Sequence, residues 1–321
     1  MSTAQGIFGA WDNPNIIYIS SDTSRVPEEI TDRLSRRGWK IAVSTGSILR
    51  GFKALYEGKG SVLLVGDTPE LPAILTLRNQ VSDPLAILTP TIVACSEENA
   101  ADKAHLIELG TPEIIDYPLN PAKFVETLEW VLRRWNQGQL RKLTEAKNNL
   151  LKRRPAESMK ILTQVIGVHE IIPMAVPCLG HFIRKQTNPK TVEKILLNAL
   201  KEHPRNLGIL IAMVDFYLKV AMPETALKLI GVAKKNHGNP RIIVPEQIQA
   251  LLMMNRVHEC IPLLEIMKST GFMPQTAKNF LMRCLYTEGL TDRFERMAEG
   301  QTLILEQFQK QWTKQTLSES A

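Results

Sequence analysis

The stretch SVLLVGDTPELP, Ser61–Pro72, holds a carboxylate, Asp67, at the end of an apolar run. A carboxylate there can accept a phosphoryl group, but it needs help. A bound divalent cation and a fixed positive charge must neutralise the charge that builds on the phosphoryl oxygens. Other chemistry is poorly provided for. The four cysteines (Cys95, Cys178, Cys260, Cys284) are far apart with no CxxC pair, and the six histidines show neither HExxH nor His-x3-His spacing. Metal-ligand patterns are therefore lacking, and scattered cysteines suit reduced thiols in a cytosol. There is no phosphate-cradling glycine loop, nucleophile–base pair or usefully spaced carboxylate pair, so neither an enzyme nor a cofactor is expected.

The elements that would position Asp67 are legible. NIIYIS (15–20), KIAVS (40–44), VLLVG (62–66), TIVAC (91–95) and EIIDY (113–117) are short and rich in β-branched residues, as strands buried on both faces are. Amphipathic segments separate them. In the last segment Asn120 is a candidate cap, Pro121 takes the first helical position, and Phe124, Leu128, Val131 and Trp135 share one face. Alternating β and α predicts a doubly wound α/β sheet.

These residues resemble a response-regulator receiver domain over roughly Asn15 to Trp135. Pro90 leads the fourth strand, and Gly110 stands eight residues before Pro118. The resemblance implies site positions that this chain fills differently. Where the family carries a magnesium-holding acidic pair, Ser20 and Ser21 stand, with Asp22 one place late. Val65 takes the phosphoacceptor position, four residues before Pro69, and Asp67 follows two residues later. Cys95 replaces the hydroxyl residue of the fourth strand, Ile114 the switch aromatic and Tyr117 the lysine, ahead of a proline whose peptide bond is usually cis in the family. Valine is no nucleophile, two serines hold a hard cation poorly, and tyrosine carries no positive charge. The expectation is a pseudo-receiver. Because strand faces repeat every second residue, a two-residue slip would put Asp67 in the phosphoacceptor place, without restoring the lysine.

From Asn136 onward, helices take over. PAESMKILTQV (155–165), PKTVEKILLNA (189–199) and PETALKLIGVA (223–233) start 34 residues apart, and VHECIPLLEIM (257–267) keeps the phase. Ser158, Val192, Ala226 and Cys260 form one column, and Leu162, Leu196, Ile230 and Leu264 another. The period resembles tetratricopeptide repeats, whose first helices line a concave surface that holds peptides or helices. The resemblance puts Leu143, Lys147 and Leu150 on that lining, then Pro177, His181 and Arg184, then Ile211, Asp215 and Leu218, then Pro245, Gln249 and Leu252.

The expected organisation is an extension over 1–14, a pseudo-receiver over 15–135, tetratricopeptide-like repeats over 136–305 and a tail over 306–321. Charge supports the division. Through Trp135 there are 13 basic and 17 acidic residues; from Asn136 there are 26 and 16. The joint carries Arg133, Arg134, Arg141, Lys142, Lys147, Lys152, Arg153 and Arg154 against Glu145. That is a basic face for an acidic protein, an anionic lipid or nucleic acid, without the aromatic interleaving of a nucleic-acid interface. No apolar run reaches the ~18 residues needed to span a bilayer. The amino terminus lacks a basic start followed by an apolar core, so a cytoplasmic location is expected. The whole reads as a signalling adaptor with a protein partner in the repeat groove and a dimer face on the receiver-like part. The resemblance associates it with bacterial two-component, motility or pilus systems. A nucleic-acid-binding regulator using the basic half is the alternative.

Overall fold

The computed structural model describes residues 15–22, 26, 28–68, 71, 73–95, 106–107, 109, 113–165, 174–179, 189–237, 243–269, 280–282, 284–285, 289–290 and 292–293. The chain divides into two compact units, Met1–Glu246 and Gln247–Ala321, so the change to helix near residue 136 falls inside the first unit. The 1–14 extension and the 306–321 tail lie outside the described residues.

Five strands form one parallel sheet: β1 (Asn15–Ile19), β2 (Lys40–Thr45), β3 (Val62–Gly66), β4 (Thr91–Cys95) and β5 (Glu113–Asp116), in the order β2-β1-β3-β4-β5. All five stand where the apolar runs predict them. The central strands β3 and β4 are buried at every residue, as a sheet covered on both faces requires. The register sets Ile19 beside Val65 and Val65 beside Val93. The topology is flavodoxin-like and receiver-like, with α1 (Glu28–Ser35), α2 (Ile48–Tyr56), α3 (Ala73–Ser82) and α4 (Pro121–Trp135) as the helices described around the sheet. In α4, Asn120 Oδ1 accepts from Lys123 N at 3.0 Å, Pro121 opens the helix, and Phe124, Leu128, Val131 and Trp135 are buried. The Tyr117–Pro118 peptide is cis.

After a break at Gly138, which has φ 53°, the first unit continues with α5 (Leu140–Leu151), α6 (Pro155–Val165), helical residues 174–179, α7 (Pro189–Glu202), α8 (Leu207–Lys219) and α9 (Pro223–His237). α10 (Val244–Met253) begins at its end. The second unit adds a 3-10 turn at Val257–Glu259 and α11 (Cys260–Ser269). Pro155, Pro189 and Pro223 each open a helix, and α5 packs on α6 as α8 packs on α9. Both columns of the 34-residue pattern are buried.

The turns repeat as well. Arg153, Ala221 and Asn255 all have φ 58°; Ala221 and Asn255 are one period apart, and Arg153 lies two periods before Ala221. Each closes its helix with the same pair of bonds. Arg154 N donates to Asn149 O (2.8 Å), Met222 N to Tyr217 O (2.8 Å) and Arg256 N to Leu251 O (2.9 Å). The left-handed residues themselves bond three back, to Leu150, Leu218 and Leu252. This is the Schellman arrangement, which normally uses glycine at the left-handed position. Ala221 is exposed there. Ala221→Gly is therefore expected to stabilise the chain by roughly 0.5 to 1 kcal/mol, because the Cβ strain it removes exceeds the added freedom of the unfolded chain. A raised denaturant midpoint with unchanged slope would show it.

Candidate functional site

Two places invite function: the carboxyl edge of the sheet and the inner face of the helical region. At the sheet edge, Ser20 is buried. Its N–H donates to Thr45 O at 3.0 Å, and its Oγ accepts from Asp22 N at 3.3 Å. Ser21 Oγ and Thr68 Oγ1 share a hydrogen bond of 2.7 Å, and Tyr18 OH donates to Asp22 O at 3.4 Å. Gly66 is a close approach: a Cβ there would lie 2.8 Å from Ser20 Oγ and 2.9 Å from Tyr18 OH.

Val65 is fully buried inside β3 and does not reach the edge. Asp67 does. Its N–H donates to Ala94 O (2.8 Å), its Oδ1 accepts from Ala73 N (2.8 Å) at the start of α3, and Cys95 Sγ donates to its Oδ2 at 3.4 Å. The register explains the meeting: Gly66 pairs with Ala94, so Asp67 comes to stand beside Cys95. The carboxylate beside the fourth-strand residue is therefore Asp67, whose two oxygens are engaged within the chain. Tyr117 N donates to Cys95 O at 3.0 Å, which joins the β5 end to the same edge. Ile114 sits within β5, paired with Val93 and short of that edge. The first cation along the chain after β5, Lys123, pairs with Asp116 at 3.0 Å. Thr68 is the participant that sequence reasoning misses; it is buried and also accepts from Leu71 N at 3.1 Å. Its only signal is its place next to Asp67.

The expected groove residues meet a different fate. Leu143, Ile211 and Leu218 are buried, and Lys147 is 2% exposed with Nζ donating to Ser61 O at 3.0 Å. Leu150 packs with Leu151 against the sheet-side cluster of Ile17, Ile19, Phe52, Leu55 and Leu63. Lys147 and Leu150 of α5 thus face the chain's own α/β layer, and Leu143, Ile211 and Leu218 are buried rather than open to a partner. The reason is area. An apolar helix stripe of this width gains more by covering a sheet's helices than by facing water. Asp215 is half-exposed and pairs with Lys219. Gln249 and Leu252 are exposed. His181 and Arg184 lie outside the described residues.

The contact line on the α/β layer is specific. Cys178 Sγ donates to Pro84 O at 3.5 Å. A Cβ on Gly208 would lie 3.7 Å from both Val81 Cγ2 and Leu109 O, so α8 packs closely on α3 there. Arg78 of α3 forms an ion pair with Glu246 at the start of α10. The basic joint is partly consumed. Arg133 pairs with Glu129 at 3.8 Å, Arg134 lies 5.1 Å over the exposed Trp130 ring, and Arg141 pairs with Glu145 at 3.2 Å.

In the second unit a cavity of 310 Å³ is lined by His258, Ile261, Pro262, Glu265, Leu290 and Arg293. Among the described residues no group of three or more His, Cys, Asp or Glu is arranged to hold a metal ion, and no helix is long and apolar enough to cross a membrane. Comparison with protein-family models, with curated proteins and with solved structures finds no match to this chain.

Proposed function

We propose that this chain is a non-enzymatic signalling adaptor: a receiver-like scaffold without phosphotransfer chemistry, continued by tetratricopeptide-like repeats that hold a protein partner. The observation that carries the first half is the sheet's carboxyl edge. Ser20 and Ser21 stand where a hard cation would need carboxylates, their hydroxyls bonded to Asp22 N and Thr68, and Tyr117 stands where a lysine would neutralise the phosphoryl oxygens. The recurring left-handed turns at Arg153, Ala221 and Asn255 support the repeat reading, because a fixed period in backbone geometry is what stacked helix pairs produce. Bacterial two-component, motility or pilus signalling is the context such pairings suggest by analogy of fold.

A second reading is favoured by one contact. Asp67 lies against Cys95, so it could accept a phosphoryl group in the shifted register. Incubation with acetyl phosphate or beryllofluoride and magnesium, followed by intact mass and amide spectra, separates the two. The adaptor reading expects an unchanged mass and unchanged spectra. A phosphoryl adduct that Asp67→Asn abolishes would establish the second reading instead.

A further inference from the structure

We propose that the inner face of the repeats is already occupied in cis by α3 and the turn after it, and that the external partner it fits is an amphipathic helix of the same chemistry, an arginine followed three residues later by an aliphatic side chain. This rests on the repeat reading above. Three successive contacts carry it: Pro84 against Cys178, Val81 against the Gly208 notch, and Arg78 on Glu246. They come from the helical segment 174–179, from α8 and from α10, the elements on which the repeat pattern puts groove-lining residues. One short segment of the α/β layer thus lies along the successive first helices, as a bound helix would.

The seat is imperfect in a way that favours exchange. Arg78 Nε and Glu246 Oε2 are buried without hydrogen-bond partners, two of the eight such side-chain atoms among the described residues. A buried ion pair with unsatisfied atoms is a weak source of net stability, since desolvation opposes the attraction. It still discriminates, because a partner without a positive charge leaves Glu246 buried and unpaired. α3 also covers the sheet through Ala73 and Leu77, which are buried, so opening means that the helices leave α3 while α3 stays on the sheet.

The test uses the full chain and two readouts. Cys178 is buried at the seat and its thiol is held well above the usual range by burial, whereas Cys95 is buried within the sheet. Arg78→Glu and Glu246→Arg should each speed alkylation of Cys178 by at least about tenfold, a shift of ~1.4 kcal/mol in the opening equilibrium, and leave Cys95 slow. The double exchange should return Cys178 to the parent rate. A fluorescent peptide spanning Ala73–Ala86 should bind the Arg78→Glu chain at least about tenfold more tightly than the parent, because the competing cis occupant is gone. It should not bind the Glu246→Arg chain, where its arginine meets a like charge. Equal labelling of Cys178 in parent and variants, joint labelling of Cys95, or equal peptide binding by both single variants would overturn the proposal. None of these readouts involves an outside protein, so failure to capture one counts against the adaptor reading alone.

Discussion

Leu218→Glu is expected to abolish cooperative folding of the helical region, while Leu252→Glu stays within about 0.5 kcal/mol of the parent. The repeat phase gives the two leucines the same role, one period apart, yet Leu218 is 3% exposed and Leu252 37%. Leu218 belongs to α8, in which ten of thirteen residues are buried and which packs on α7, α9 and α3. Truncating a buried leucine costs about 2 to 5 kcal/mol, and burying an unpaired carboxylate adds several more. Together these consume most of the roughly 5 to 15 kcal/mol by which a domain is stable. Leu252 already meets water, so a charge there removes little burial. Thermal unfolding by circular dichroism decides it. A Leu218→Glu chain that melts with the parent's midpoint would mean that α8 is not the buried centre of the helical region.

That contrast shows what the sequence could and could not disclose. Strands buried on both faces are uniformly apolar and short, so VLLVG and TIVAC declare themselves without their neighbours. Asn120 and Pro121 mark the start of α4 because capping is local. Prolines at one helical position mark the repeat phase for the same reason. Burial of the inner face is not local. Helical periodicity shows that Leu143, Lys147 and Ile211 share a stripe character with groove residues, but it does not say what covers the stripe. Lys147 makes the point, since a lysine in such a stripe reads as solvated until Ser61 O is found within reach of its Nζ. The left-handed turns were hidden differently: Arg153, Ala221 and Asn255 stand where glycine would have signalled the motif. At the sheet edge, counting back from Pro69 gives Val65, and only the register of β3 on β4 shows that Asp67 is the carboxylate that meets Cys95.

Lys147→Met is expected to stabilise the chain below neutral pH by on the order of a few kcal/mol, with the gain disappearing toward pH 10 to 11. Lys147 lies on the buried face of α5, and burial, which disfavours the charged ammonium, pulls its pKa from 10.5 down to about 7. The unfolded chain keeps the ordinary value. Below about 7 the lysine is charged in both states, so the folded protein bears the whole cost of burying the charge. Between about 7 and 10.5 the unfolded state binds the extra proton, so stability rises with pH across that window. Above it the amine is neutral in both states and the cost is gone. Methionine has similar length and no charge, so it removes this slope. It also leaves Ser61 O without the donor it has at 3.0 Å, which costs about 1 kcal/mol at every pH. The two stability curves should therefore converge as pH rises and cross near the top of the window. Titrations common to both chains, such as that of the buried Cys178 thiol, cancel in the difference. Urea unfolding at pH 6, 8 and 10 measures it. A parent-minus-variant difference that does not change with pH would show that Lys147 keeps an ordinary pKa and that α5 does not seal it from water.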